Sequence, residues 1–127
     1  MIHEEICTYE VCKLAKEKGF DVPTIDLYIG GVNWLGSSTH PFTHNETEDD
    51  VAAPTQSLLQ RWLREEKNIV VVVDWFSIEQ KYYWRVYDTS KDDMFASFMP
   101  SAKSMSRYDT WEQALEYGLK YALKELK

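Results

Sequence analysis

The sequence predicts an α+β fold built on an antiparallel three-stranded meander flanked by two helices, in the order α-β-β-β-α, with an N-terminal helix and strand added in front. Three observations lead there. Two segments, 55–66 and 110–126, pair a capping residue with apolar residues at helical spacing. Three β-branched or aromatic runs lie between them, "NIVVVVDWF", "KYYWRVYD" and "DMFASFM". The links "SIEQ" and "TSKD" are short and polar, as tight turns between neighbouring antiparallel strands require.

Taken in order, the first helix starts at Thr8 as N-cap and runs through "YEVCKLAKEK", with Val11, Leu14 and Ala15 as its apolar stripe. "KGF" ends it: basic residues in the last turn, a glycine for the left-handed position, and Phe20 folding back on the helix. "TIDLYI" then reads as a strand with Ile25, Leu27 and Ile29 on one side. Residues 36–53 show no sustained period and an acid run, and are expected to form a long loop. Thr55 caps the second helix, whose Leu58, Leu59, Trp62 and Leu63 share one face and are expected to meet the sheet. In the last helix Thr110 and Gln113 stand at capping-box spacing. Gly118 interrupts its stripe at a cost of about 1 kcal/mol, which a close approach of the helix to the sheet or to the other helix would offset.

A chain of 127 residues is expected to be a single domain: 1–35 packing on the core, 36–53 an acidic loop, 54–127 the core module. The net charge of −7 is uneven. Residues 1–53 hold three Lys and ten Asp/Glu, whereas residues 54–127 hold eleven of each sign. Phosphate contacts supply most nonspecific nucleic-acid affinity, so nucleic acid is disfavoured as a partner. The start "MIHEEICTYE" has neither a basic n-region nor an apolar h-region, and the longest apolar run, 69–73, is far below a membrane span. A cytoplasmic chain that does not enter the membrane is expected, and Cys7 and Cys12 are read as small helix residues rather than a disulfide.

Aromatic residues make up 14% of the chain, and both faces of the meander are rich in them. Two helices roof one face. The other needs cover from the segment 25–35, from a second copy of the chain, or from a ligand. On that face Tyr83, Arg85 and Tyr87 alternate along one strand, a pattern able to stack on bases, and Arg61 and Arg64 could add charge. Cross-strand packing explains the same pattern. His40 and His44 in "THPFTHNETEDD" are the candidate metal ligands, although Pro41 argues against a helix presenting them together. Asp74 and Asp88 form a candidate carboxylate pair. "GGVNWLG" lacks phosphate-loop spacing and no GxSxG occurs, so no cofactor is implied and enzyme activity is disfavoured.

The order α-β-β-β-α resembles the double-stranded-RNA-binding domain, but "DTWEQALEYG" replaces the basic cluster with which that family begins its last helix. The ending also resembles the helix that closes small antitoxin-type β-β-β-α proteins. Three blocks, "KLAKEKGFDVP", "APTQSLLQRWLRE" and "YDTWEQALEYGLKYAL", together resemble a group of small uncharacterised proteins of Bacteroides-type gut bacteria and their phages and mobile elements. That resemblance implies a bacterial or phage origin and supplies no catalytic residue. The sequence reading is a non-catalytic module that binds a protein partner or itself, as a homodimer. The alternatives are a single-stranded nucleic-acid binder and a metal-dependent enzyme.

Overall fold

A computed structural model of the chain describes residues 2–90, 97–98 and 106–126. It is α+β, with three helices and antiparallel sheets. Helix α1 spans Tyr9–Glu17, and Thr8 caps it by accepting the Val11 amide. Gly19 takes φ +95°, and the Phe20 amide returns to the Ala15 carbonyl at 2.9 Å. Helix α2, Gln56–Glu66, is capped by Thr55 in the same way, and α3, Trp111–Glu125, by Thr110 accepting from the Gln113 amide.

The C-terminal sheet has the order β4-β5-β6, with β4 Ile69–Phe76, β5 Lys81–Asp88 and β6 Ser97–Phe98. The expected third strand over 93–99 is described only at Ser97–Phe98, and the rest of that run lies outside the described residues. The register pairs Val71 with Val86 and Val73 with Trp84 on one face, and Val72 with Arg85 and Asp74 with Tyr83 on the other. Helices α2 and α3 both pack on the first face, where Ile69, Val71, Trp84 and Val86 join Leu59, Leu63, Leu119 and Leu123 in one buried cluster. Leu59, Trp62 and Leu63 are buried as the apolar stripe requires, while Leu58 is half-buried.

Residues 36–53 are not a loop. They supply β2, Leu35–Phe42, a short 3-10 helix His44–Glu46, and β3, Val51–Ala52. With β1, Thr24–Tyr28, these strands form a second antiparallel sheet in the order β2-β1-β3. The strand 24–28 also departs from simple alternation. A bulge in β2, opposite Thr24–Asp26, leaves Ile25 47% exposed while Thr24, Leu27 and Tyr28 are buried.

The position of this second sheet corrects a further expectation. The segment 25–35 does not cover the far face of the C-terminal sheet. Strand β3 packs on α1, and α1 packs on α3, so the helices lie between the two sheets. Tyr28 reaches across to donate to the Cys7 carbonyl at 2.8 Å, and desolvation pushes its phenol up to about 12. Both cysteines are free and buried. The bond from Cys12, together with burial, raises the Cys7 thiol well above its ordinary range.

A close approach of helix to sheet explains Gly118. A Cβ there would stand 2.9 Å from Val71 Cγ1 and 3.0 Å from Trp84 Cβ. Neither atom is the far end of a flexible chain: valine is stiff at χ1 and a tryptophan Cβ moves only with its backbone. Overpacking of this kind costs about 1–3 kcal/mol, against the roughly 1 kcal/mol of helix propensity an alanine returns. Gly118→Ala is therefore expected to lower stability, by up to about 2 kcal/mol, in denaturant unfolding. A variant more stable than the parent would show that α3 does not ride this close to β4 and β5.

Candidate functional site

The second sheet is held by polar side chains bonded to backbone. Lys16, on α1, donates from Nζ to three carbonyls of one turn: Thr47 at 2.6 Å, Glu48 at 3.0 Å and Asp50 at 2.7 Å. One ammonium thus spends its three protons on the acidic segment and pins it to the helix. Asn45 works likewise, donating to the Phe20 carbonyl at 2.7 Å and accepting the Ala52 amide at 2.7 Å. Tyr9 donates to the Gly31 carbonyl at 2.7 Å, which anchors the tip of the β1–β2 hairpin. Gly30 and Gly31 turn that tip at φ +65° and +71°, a region open to glycine.

This arrangement leaves apolar side chains of the hairpin in solvent on both faces of the sheet: Ile25 and Trp34 lie on one face, Leu35 and Phe42 on the other. β2 is an edge strand with β1 as its neighbour. Val32 is 56% exposed and Trp34 67%, and Leu35, Phe42 and Ile25 are also exposed. Asp49 and Asp50 stand at the same tip: the Gly30 amide meets Asp50 Oδ1 at 3.3 Å, and a Cβ on Gly31 would lie 3.8 Å from the Asp49 carbonyl oxygen. Asp26 Oδ1 accepts from the Ser37 hydroxyl at 2.6 Å across β1 and β2.

His40 and His44 stand on either side of Phe42, with ring centroids at 4.3 and 5.9 Å from it. Each has a hydroxyl neighbour, Thr39 Oγ1 at 3.0 Å from His40 Nδ1 and Ser38 Oγ at 3.4 Å from His44 Nε2. Among the described residues no three His, Cys, Asp or Glu side chains are gathered where a metal could be held. The carboxylate pair does not form either. Asp74 stands opposite Tyr83 and Asp88 opposite Ile69, toward the other end of the hairpin and on the other face.

Tyr83, Arg85 and Tyr87 do line one face of β5, turned away from the helices. Arg85 donates to both hydroxyls, Nη2 to Tyr83 at 3.2 Å and Nη1 to Tyr87 at 3.3 Å, and the Tyr83 hydroxyl in turn donates to Asp74 Oδ2 at 3.3 Å. The Tyr87 and Tyr83 hydroxyls raise the guanidinium's pKa above its ordinary value. The guanidinium of Arg107 lies over Phe76 at 4.6 Å and Tyr83 at 5.4 Å, with Nε 3.0 Å from Glu79 Oε2. Tyr83 is buried, and Val70, Val72 and Tyr87 are half-buried. Arg61 and Arg64 do not join this group. They are exposed on α2, which packs on the opposite face, and Arg61 pairs with Glu65 at 3.0 Å.

A second exposed aromatic group escaped the sequence reading. Trp75, Tyr82 and Trp111 stand edge to face at centroid separations of 4.9 and 6.1 Å, and Tyr108 stacks on Tyr117 at 4.9 Å. The bridge between Tyr82 and Tyr108 gathers them, and no spacing in the sequence encodes that bridge. Between α1 and α3 lies a small cleft of about 140 Å³ lined by Thr8, Glu10, Val11, Glu116, Tyr117 and Lys120. Its charges are paired, Lys120 to Glu10 at 2.8 Å and Glu116 to Thr8 at 2.8 Å.

No family model, curated protein or solved structure matches the chain. No helix among the described residues is long and apolar enough to cross a membrane.

The Lys16 clamp makes the order of the acidic turn testable. Lys16→Met keeps the aliphatic stem and removes three charge-assisted bonds. Local opening should become easier by about 1–2 kcal/mol, so the amides of 47–52 should exchange roughly tenfold faster by the rule that 1.4 kcal/mol is tenfold. Unchanged exchange in the variant would mean that the turn holds itself.

Proposed function

We propose that the chain is a non-catalytic interaction module that binds another protein through the exposed β1–β2 hairpin of its N-terminal sheet. The exposed apolar side chains at the β1–β2 hairpin carry this reading. Val32, Trp34 and Leu35 cluster at its tip, and Ile25 and Phe42 stand at its other end, on a sheet anchored to α1 rather than left mobile. Tryptophan is among the residues enriched where binding energy concentrates. A rigid platform keeps the ordering cost of association small. The hairpin's histidines do stand beside hydroxyls, Ser38 Oγ and Thr39 Oγ1, but among the described residues no carboxylate is bonded to either ring to complete a triad.

Single-stranded nucleic acid on Tyr83, Arg85 and Tyr87 is the weaker reading. A base needs a free ring face, and Arg107 lies over Tyr83. We read the likeness of the α2-β4-β5-β6-α3 order to the double-stranded-RNA-binding domain as topology alone. The three-block resemblance supports a setting in the cytosol of a gut bacterium or in one of its mobile elements.

Photo-cross-linking in cells of the Bacteroides type tests the proposal. A cross-linking residue at Trp34 is expected to capture a discrete protein band, and one at Arg64 to capture none. Equal capture at both positions, or nucleic acid recovered from Trp34, would overturn the reading.

A further inference from the structure

The two sheets end in two long edge strands, and the protein treats them differently. β4 is guarded. Its outward carbonyl at Val71 accepts from Gln60 Nε2 at 2.6 Å, and the Trp75 amide donates to Asp74 Oδ1 at 2.9 Å. The Thr89 amide donates to the Asn68 carbonyl at 2.8 Å, so in this register the even positions of β4 bond to β5 and the odd ones face outward. The guards therefore sit at the outward positions, where a foreign strand would attach.

β2 is not guarded in this way. The Ile29 amide donates to the Trp34 carbonyl at 3.0 Å, and the register pairs Leu27 with Gly36 and Asp26 with Ser37. Alternation then turns the amides and carbonyls of Leu35 and Ser37 outward, and among the described residues none of the hydrogen bonds involves them. The strand "LGSSTHPF" carries no Lys, Arg, Asp or Glu to repel an incoming strand. Only the bulge opposite Ile25 and Pro41 limit it, leaving 34–38 as the usable stretch.

Charge identifies the occupant. The sheet segment 24–53 holds five carboxylates and neither Lys nor Arg. Asp26 lies beside Ser37, and Asp49 and Asp50 flank the hairpin tip. Edge-to-edge pairing of two copies would bring these carboxylates together, whereas a cationic strand would be drawn to them. Resting on the reading that this sheet is the contact surface, we propose that an extended, Lys- or Arg-bearing segment of a partner protein adds to β2 as a fourth strand. It would bond to the outward groups of Leu35 and Ser37. Leu35, Ser37 and Asp26 share a face, so the added strand presents an apolar residue opposite Leu35 and a basic one opposite Ser37.

The probe is the peptide Lys-Thr-Val-Thr-Lys-Thr-Val, titrated into the isotope-labelled full chain and followed by amide chemical shifts. Saturable shifts centred on 34–38 are expected. The counterpart with Glu for Lys should bind at least tenfold more weakly. Ser37→Pro, which removes an outward amide, and Leu35→Lys, which places a like charge at the edge, should each weaken binding at least tenfold. Leu35→Lys decides the matter if Ser37→Pro fails to fold. The proposal is overturned by shifts centred on 72–76, by absence of saturable binding, by variants within twofold of the parent, or by self-association producing the same shifts without peptide. If peptide binding fails while cross-linking from Trp34 persists, the edge assignment falls and the protein-binding reading stands. If both fail, neither survives.

Discussion

The approach of α3 to the C-terminal sheet at Gly118 sets the position of everything else. Without a side chain there, the helix settles against Val71 and Trp84, and its Leu115, Leu119, Ala122 and Leu123 complete the core. The opposite side of α3 then carries α1. Glu116 accepts from both the amide and the hydroxyl of Thr8 at 2.8 Å, and its other oxygen accepts from Gln56 on α2 at 2.9 Å. One carboxylate so collects the starts of two helices, where the macrodipoles favour negative charge. Lys120 and Glu10 close the same seam, each shifting the other toward its charged form. From α1 the dependence passes outward through Tyr9, Lys16 and Tyr28 to the second sheet.

That chain of dependence also separates what the sequence discloses from what it hides. The helices were legible because their signals are local: Thr8, Thr55 and Thr110 each cap within three residues, and the apolar stripes follow from helical period. The hairpin of β4 and β5 was legible from β-branched and aromatic runs with a short polar link. Residues 36–53 were not, because their order comes from contacts remote in sequence. Lys16 binds carbonyls more than 30 residues away, and Asn45 joins Phe20 to Ala52. Nothing in "GSSTHPFTHNETEDD" alternates, so a period search reads a loop. The Tyr83, Arg85 and Tyr87 pattern was visible at period two, yet Arg107, which lies over Tyr83, comes from beyond the sheet. Edge position is invisible in principle. A strand becomes an edge by lacking a neighbour, and that is a property of the assembled sheet.

The far face of the C-terminal sheet shows how the chain handles apolar surface that helices cannot reach. Polar reach substitutes for a second layer. Arg85 bridges two tyrosine hydroxyls, and Arg107 spreads its guanidinium over Phe76 and Tyr83 while meeting Glu79. Arginine suits this because its planar, weakly hydrated head stacks on rings without a large desolvation cost. The aromatic content is thereby partly a structural device: Phe20 meets Trp62 at 5.3 Å and Tyr9 meets Tyr28 at 5.3 Å inside the protein. The aromatic residues left outward, Trp34 above all, stand apart from that scheme.

On the proposed function, the two halves of the chain divide stability from recognition. Residues 54–127 are balanced in charge, hold the deepest packing, and seal the edge of β4 with Gln60 and Asp74. A long β-branched edge in a neutral half is the part most prone to pair with copies of itself, so guarding it there has the larger effect. Residues 1–53 carry the whole net charge of −7, which already opposes self-pairing at β2. An edge protected by its field rather than by side-chain caps remains open to any strand of opposite charge. In the proposed strand addition, backbone bonds would supply affinity that is indifferent to sequence, and the carboxylates the choice of partner. The acidity that disfavours nucleic acid would, on the proposal above, also favour a cationic strand over a second copy, through the five carboxylates of residues 24–53.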